Sequence, residues 1–310
     1  MDINADWKET MILYGLLDAN QSEQYIKVNK AFLNEAGSAL MIAKNSDSLY
    51  LESVTVKIIR SKTGEEYILT RVNEISKDSG IFANDVNYLY KMTDPVYENE
   101  MYELVVESGK TGQIAKAVTY TLGKTKIEAP FRTSNPIFSL GANYIFISYV
   151  PAINSYAYDI KMLVEVQEFN RKDTSLIDTK NLRWNVITNY RMPQVAAGSP
   201  LPTVIHQIER TAFYQFLSTY LTDTSDHIVR RIKSVGMQYY GGNQTLVDYI
   251  SVNEPAIGIV QKQAEYSNVQ NGFGLFASRS LQQVVNVPMD PNSVTYLQKS
   301  VYTAPLNFIR

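Results

Sequence analysis

The sequence predicts a mainly β protein in two parts. Residues 1–124 read as an N-terminal antiparallel sandwich of the immunoglobulin or fibronectin type, and residues 125–310 as a second β-sandwich carrying one long amphipathic helix near 200–221. Three observations predict this. Short apolar or alternating runs recur about every ten residues with turn formers between them, and only one long segment repeats with the period of a helix. In addition, 310 residues exceed what a single hydrophobic core serves.

Taken in order, Thr10 to Leu17 is a short apolar run that stops at the turn-rich Asp18 to Ser22. Glu23 to Leu33 then extends, with Ile26 and Val28 alternating against Lys27 and Asn29, so two strands joined by a turn are expected. Tyr50 to Arg60 sets Val54, Val56 and Ile58 on one side, and Ser61 to Gly64 is a hairpin turn into Glu66 to Val72. Met101 to Glu107, the turn Gly109 to Gly112, and Gln113 to Leu122 make another hairpin. Gly123 to Asn135 mixes turn formers with charge and is the expected linker.

Beyond the linker, Tyr144 to Val150 is apolar on both faces. Tyr158 to Phe169 alternates cleanly, setting Ile160, Met162, Val164 and Val166 against Lys161, Glu165 and Gln167. Leu182 to Tyr190 carries Trp184. The helix is expected over Ser199 to Leu221, where Leu201, Ile205, Ile208, Ala212, Phe213, Phe216 and Tyr220 gather on one side of a wheel. Pro200 or Pro202 suits its first turn and Ser199 or Thr203 can cap it. Gly241-Gly242-Asn243 reads as a hairpin turn between His227 to Tyr240 and Thr245 to Val252. Gly274 to Val287 should return as a late strand, and Pro288 to Arg310 reads as loop and tail.

Composition excludes several classes of function. The chain has no cysteine, which removes disulfides, thiol nucleophiles and Cys-ligated zinc. Lys plus Arg number 29 against 31 Asp plus Glu, so no field gathers nucleic acid, and no nucleic-acid partner is expected. Twenty-two tyrosines suit half-buried pleated surfaces and offer an apolar body with a polar tip. There is no 18-residue apolar run, and the opening residues lack the pattern of an export signal, so the chain as given is expected to be soluble.

Motifs that carry chemistry are few. Asn271-Gly-Phe-Gly-Leu-Phe-Ala277 has the letters of a dinucleotide loop, but polar residues precede it and no βαβ unit surrounds it; a turn into a strand is the expectation. Ser108-Gly-Lys-Thr111 resembles the tail of a phosphate loop, but Leu104 stands where the required glycine would be. His206 and Glu209, three apart on the expected helix, could touch a metal. The only other histidine is His227, so neither metal nor cofactor is expected. Glu209 falls inside the helix's apolar arc, where a carboxylate must find a cation or take up a proton. A structural ion pair with Arg230 or Arg231, or with Lys233, is the expectation. Tyr239 and Tyr240, beside the Gly241-Gly242 turn, are candidate contacts for a sugar ring or a partner's pocket.

Three blocks carry a family resemblance: Leu13-Tyr-Gly-Leu-Leu-Asp18, Gln24-Tyr-Ile-Lys-Val-Asn-Lys-Ala-Phe-Leu33, and Ser267-Asn-Val-Gln-Asn-Gly-Phe-Gly-Leu-Phe-Ala-Ser-Arg279. On these the chain resembles a family of uncharacterised Bacteroidetes cell-envelope lipoproteins found beside TonB-dependent outer-membrane receptors. The resemblance implies an exported, two-domain β protein that binds or assembles at the outer membrane, and it brings no catalytic residues. It implies membrane attachment only through a lipid anchor on an untrimmed precursor. Two functions follow as expectations. One is an envelope binding module serving a receptor, a glycan or a peptide. The other, drawn from the residues themselves, is a hydrolase acting on a glycan or peptide with Glu209 or another buried carboxylate as its acid.

Overall fold

The computed structural model describes residues 10–31, 44–76, 86–131, 135–193, 199–253 and 265–310. In chain order the strands are β1 (Met11–Leu17), β2 (Gln24–Lys30), β3 (Val54–Arg60), β4 (Glu65–Ile68), β5 (Thr70–Val72), β6 (Leu89–Met92), β7 (Met101–Ser108) and β8 (Ile114–Tyr120). They continue as β9 (Lys126–Ala129), β10 (Tyr144–Val150), β11 (Ala157–Asn170), β12 (Leu176–Arg191), β13 (Val204–Glu209), β14 (Ile228–Gly242), β15 (Val269–Gln270) and β16 (Gly272–Val287). The protein is mainly β, as its short runs predict. No helix among the described residues is long and apolar enough to cross a membrane.

The chain divides into two compact units. One comprises residues 1–123, 154–156 and 242–280, the other 124–153, 157–241 and 281–310. The break after Gly123 lies one residue from the expected boundary. The assignment of everything beyond it to a second domain is corrected: residues 242–280 fold with the first unit, because β15 and the front of β16 complete its sheets.

In the first unit one sheet runs β15-β8-β7-β3-β4, antiparallel throughout. Its hairpin turns hold Gly64 and Gly112 at φ of 73° and 69°, a region glycine enters at no steric cost. The other sheet runs β16-β1-β2-β6-β5, and there β1 and β16 pair in parallel, from Met11 opposite Gly272 to Leu17 opposite Ser278. The core lies between the two sheets, with Leu13, Leu17 and Ile26 from one meeting Ile58, Leu104 and Val106 from the other. The layers are those of the expected sandwich, but a parallel pair joins its first and last strands.

The second unit stacks the sheet β13-β10-β9 with β12, β11, β14 and the back of β16. Ile160, Met162, Val164 and Val166 of β11 are buried, as their alternation predicts. Residues 126–129 of the expected linker form β9 instead, and Arg132, Thr133 and Ser134 lie outside the described residues.

The expected long helix is also corrected. Val204–Glu209 is a strand paired with β10, and only Arg210–Tyr220 is helical. Along β13 Val204 is buried and His206 and Ile208 partly so, while Ile205, Gln207 and Glu209 are exposed, a period of two that β-branched residues favour. The two prolines before it disfavour helix in the residues they follow. The short helix buries Phe213 and Phe216, and Trp184 of β12 stacks on Phe216 at 5.3 Å.

The hairpin expected at Gly241-Gly242-Asn243 is replaced by a helix, Gln244–Asn253. Asn243 caps it: its Oδ1 accepts the backbone N–H of Leu246. The tail forms a short helix, Val294–Lys299, and Phe308 bridges Arg230 of β14.

Candidate functional site

The residues singled out from the sequence do not converge. Glu209 is exposed on the outer face of β13 and accepts only the hydroxyl of Thr211, at 3.2 Å, among the described residues. Its expected pairing with Arg230 or Arg231 is corrected, because on a strand Glu209 takes the face opposite His206 and Ile208. Arg230 is fully buried and binds Glu168 of β11 instead, Nε to Oε1 at 2.8 Å, with Lys180 3.2 Å from the same oxygen. Its Nη1 donates to the Leu306 carbonyl, so the ion pair anchors the C-terminal tail. Arg231 donates to Gln167, and Lys233 pairs with Glu165.

His206 points inward between Tyr149, stacked at 6.1 Å, and Tyr190, edge-on at 4.6 Å. Burial holds its pKa below the usual imidazole value. His227 is exposed, and no cluster of three or more metal-ligating side chains occurs among the described residues. Tyr239 is corrected as a contact residue: its ring is wholly buried and meets Tyr149 edge-on at 5.4 Å. Tyr240 lies under the Lys161 ammonium and donates to Gln238, which commits it within the sheet.

The first unit does form a cleft. Three segments distant in sequence line it: Val118, Thr119 and Tyr120 at the end of β8; Asn154, Ser155 and Tyr156; and Asn243, Gln244 and Thr245 where the helix begins. Its volume is about 500 Å³, within the range of small-molecule sites. Alternation along β8 buries Thr119 and turns Val118 and Tyr120 outward.

Asn243 holds the cleft together. Its Nδ2 donates to Thr119 Oγ1 at 2.9 Å and to the Tyr120 carbonyl at 3.3 Å, while its Oδ1 caps the helix. The loop is tied in by the Tyr156 N–H on the Gly242 carbonyl, 2.7 Å, and by Asn154 Nδ2 on the Thr121 carbonyl, 3.0 Å. Asn154 adopts φ of 66°, a conformation that asparagine tolerates better than most residues.

Tyr120 and Gln244 remain uncommitted. Tyr120 is 52% exposed, and neither its ring nor its hydroxyl has a partner among the described residues. The Gln244 side chain is exposed at the cleft. None of the nine described residues that line it carries a charge or an imidazole. The arrangement can hydrogen-bond and stack, and among the described residues it holds no carboxylate or histidine to move a proton. Sequence reasoning missed these residues. The signal present was the outward alternation of Ile114, Lys116, Val118 and Tyr120 at the end of a strand.

A second cleft, about 450 Å³, lies among Ser46, Asp47, Tyr50, Glu52, Arg71 and Tyr88. Its aromatic residues are already engaged: Tyr50 and Tyr88 meet edge-on at 5.0 Å, and the Arg71 guanidinium covers Tyr88 at 3.7 Å.

No family model and no curated protein matches the chain. Among solved structures, the C-terminal globular domain of an oligosaccharyltransferase from Pyrococcus abyssi is similar at 7% identity, over 71% of this chain and 44% of that one. The TM-score is 0.21, too low to carry an argument, and the chain spans less than half the length of that protein.

Proposed function

We propose that this chain is a binding module of the exported cell envelope, accessory to an outer-membrane receptor or nutrient-uptake system, and that the cleft at Tyr120 receives its ligand. The observation that carries this reading is the lining itself, a concave surface of amides, hydroxyls and two tyrosines with no charged side chain among the described residues. Such a surface suits recognition rather than proton transfer. The outer-membrane setting and a lipid anchor on the precursor rest on the sequence resemblance.

The hydrolase reading finds less support. Glu209 is exposed, Glu168 is held by Arg230 and Lys180, and Asp18 is buried within the β1–β2 turn, where the Asn20 N–H binds it. None of the three lines the cleft. The test of the receptor partnership is co-purification from membranes of the native host in mild detergent. A receptor recovered with the chain is the expected outcome, and recovery of the chain alone overturns it.

A further inference from the structure

We infer that the ligand of the Tyr120 cleft is a neutral oligosaccharide, an inference that rests on the binding-module reading and narrows it. The lining decides between ligand chemistries. Eight of the nine described residues that line it are polar and uncharged, Val118 being the exception. Stripping water from a charged ligand costs far more than stripping it from a hydroxyl, and a site without countercharge cannot return that cost. A hydroxyl-rich neutral ligand exchanges its water for amide and hydroxyl partners at little loss.

The aromatic groups point the same way. The C–H face of a sugar ring is a flat apolar surface edged by hydroxyls. Tyr120 offers a matching flat ring, half exposed and unengaged, with Gln244 and Tyr156 beside it to bind the edge.

A peptide fits less well, because the backbone that would recognise it is already occupied. Extended peptides gain affinity by adding a strand to an open sheet edge. At this end of β8 the carbonyl of Tyr120 accepts Asn243 Nδ2, and that of Val118 accepts Asn268 Nδ2 at 3.2 Å. Two asparagine side chains therefore cap the acceptors that an added strand would need.

The test is calorimetric titration of the full chain with four classes of probe: neutral trisaccharides (maltotriose, cellotriose and mannotriose), trigalacturonate, trialanine and inorganic phosphate. At least one neutral trisaccharide should bind, trigalacturonate, trialanine and phosphate should not, and Tyr120→Ala should weaken binding at least about tenfold. Tyr120→Phe, which keeps the ring, should retain most of the affinity, and Gln244→Ala should lose several-fold. Failure of every neutral trisaccharide to bind up to about 10 mM overturns the inference, as does affinity that Tyr120→Ala leaves unchanged. Binding of trialanine or phosphate that is lost in Tyr120→Ala overturns the sugar assignment while leaving a binding module in place. Co-purification with a receptor is scored separately, so the two readings fail by different results.

Discussion

The seam where β1 meets β16 and the cleft at Tyr120 both belong to the first unit, and they are built on opposite terms. At the seam the backbones approach so closely that a Cβ on Gly274 would land on the Leu13 carbonyl oxygen, and one on Gly272 would lie 2.7 Å from that of Met11. Gly274 also sits at φ of 117°, a region that side chains rarely enter. At the cleft, the side chains of Tyr120 and Gln244 make no hydrogen bond or ring contact among the described residues, although the Tyr120 carbonyl accepts Asn243 Nδ2. Where they are described, the three sequence blocks that carry the resemblance lie along β1, β2, β15 and the front of β16. The residues that line the cleft lie outside these blocks.

The strongest way to break this comparison is Gly274→Ala. With clash and backbone strain combined, it should cost at least about 4 kcal/mol and leave little folded protein. Gly64→Ala is its control, since φ is 73° there but no atom lies within 4 Å of an added Cβ. That change should cost about 1–2 kcal/mol. Thermal unfolding of both variants is the check, and equal losses would show that close packing contributes nothing at the seam.

These glycines also show what the sequence made legible. The letters Gly-Phe-Gly indicate backbone freedom at the start of a strand, which local chemistry alone decides. Their partner was not legible, because Leu13 is some 260 residues away. Val204 to Glu209 suits either structure, because Leu201, Ile205 and Ile208 share a helical face whereas Val204, His206 and Ile208 share a strand face, and only pairing with β10 selects between them. Gly241-Gly242-Asn243 was ambiguous in a similar way: asparagine serves a hairpin turn and a helix cap equally well. The Arg230–Glu168 pair depends on β14 lying beside β11, and the cleft on three segments meeting, so neither had a local signature.

Asn243→Ala tests where the cleft does depend on the fold. It removes two donors and a cap among groups that are buried, and should cost about 2–3 kcal/mol, read from the urea midpoint. A loss below about 0.5 kcal/mol would mean that the cleft's shape does not rest on this residue.

At the end of β1, Asp18 gives a smaller effect that depends on pH. Burial raises its carboxyl above the ordinary 3.8, outweighing the Asn20 hydrogen bond and the Arg279 charge. The folded chain therefore holds this proton more tightly than the unfolded chain does. Stability falls as pH rises from about 3.8 through the raised value, and the deficit persists at neutral pH. Asp18→Asn keeps an acceptor for the Asn20 N–H and removes the ionisation. It should raise Tm at pH 7 and lose that advantage near pH 3. A lower Tm at pH 7 would show that the Arg279 contact outweighs burial.

Tyr120→Ala should change stability least of all. Its ring is half exposed and packs on no other ring among the described residues, so the free energy of unfolding should move by no more than about 0.5 kcal/mol. Measured beside Gly274→Ala, it separates the two terms on which the unit is built: the seam variant should abolish folding, while the cleft variant should unfold at the parental midpoint. If Tyr120→Ala instead lowered the free energy of unfolding by more than about 1 kcal/mol, the tyrosine would be holding β8 against the loop at Asn154 to Tyr156. Its exposure would then be incidental to packing, and the case for a ligand platform there would fall with it.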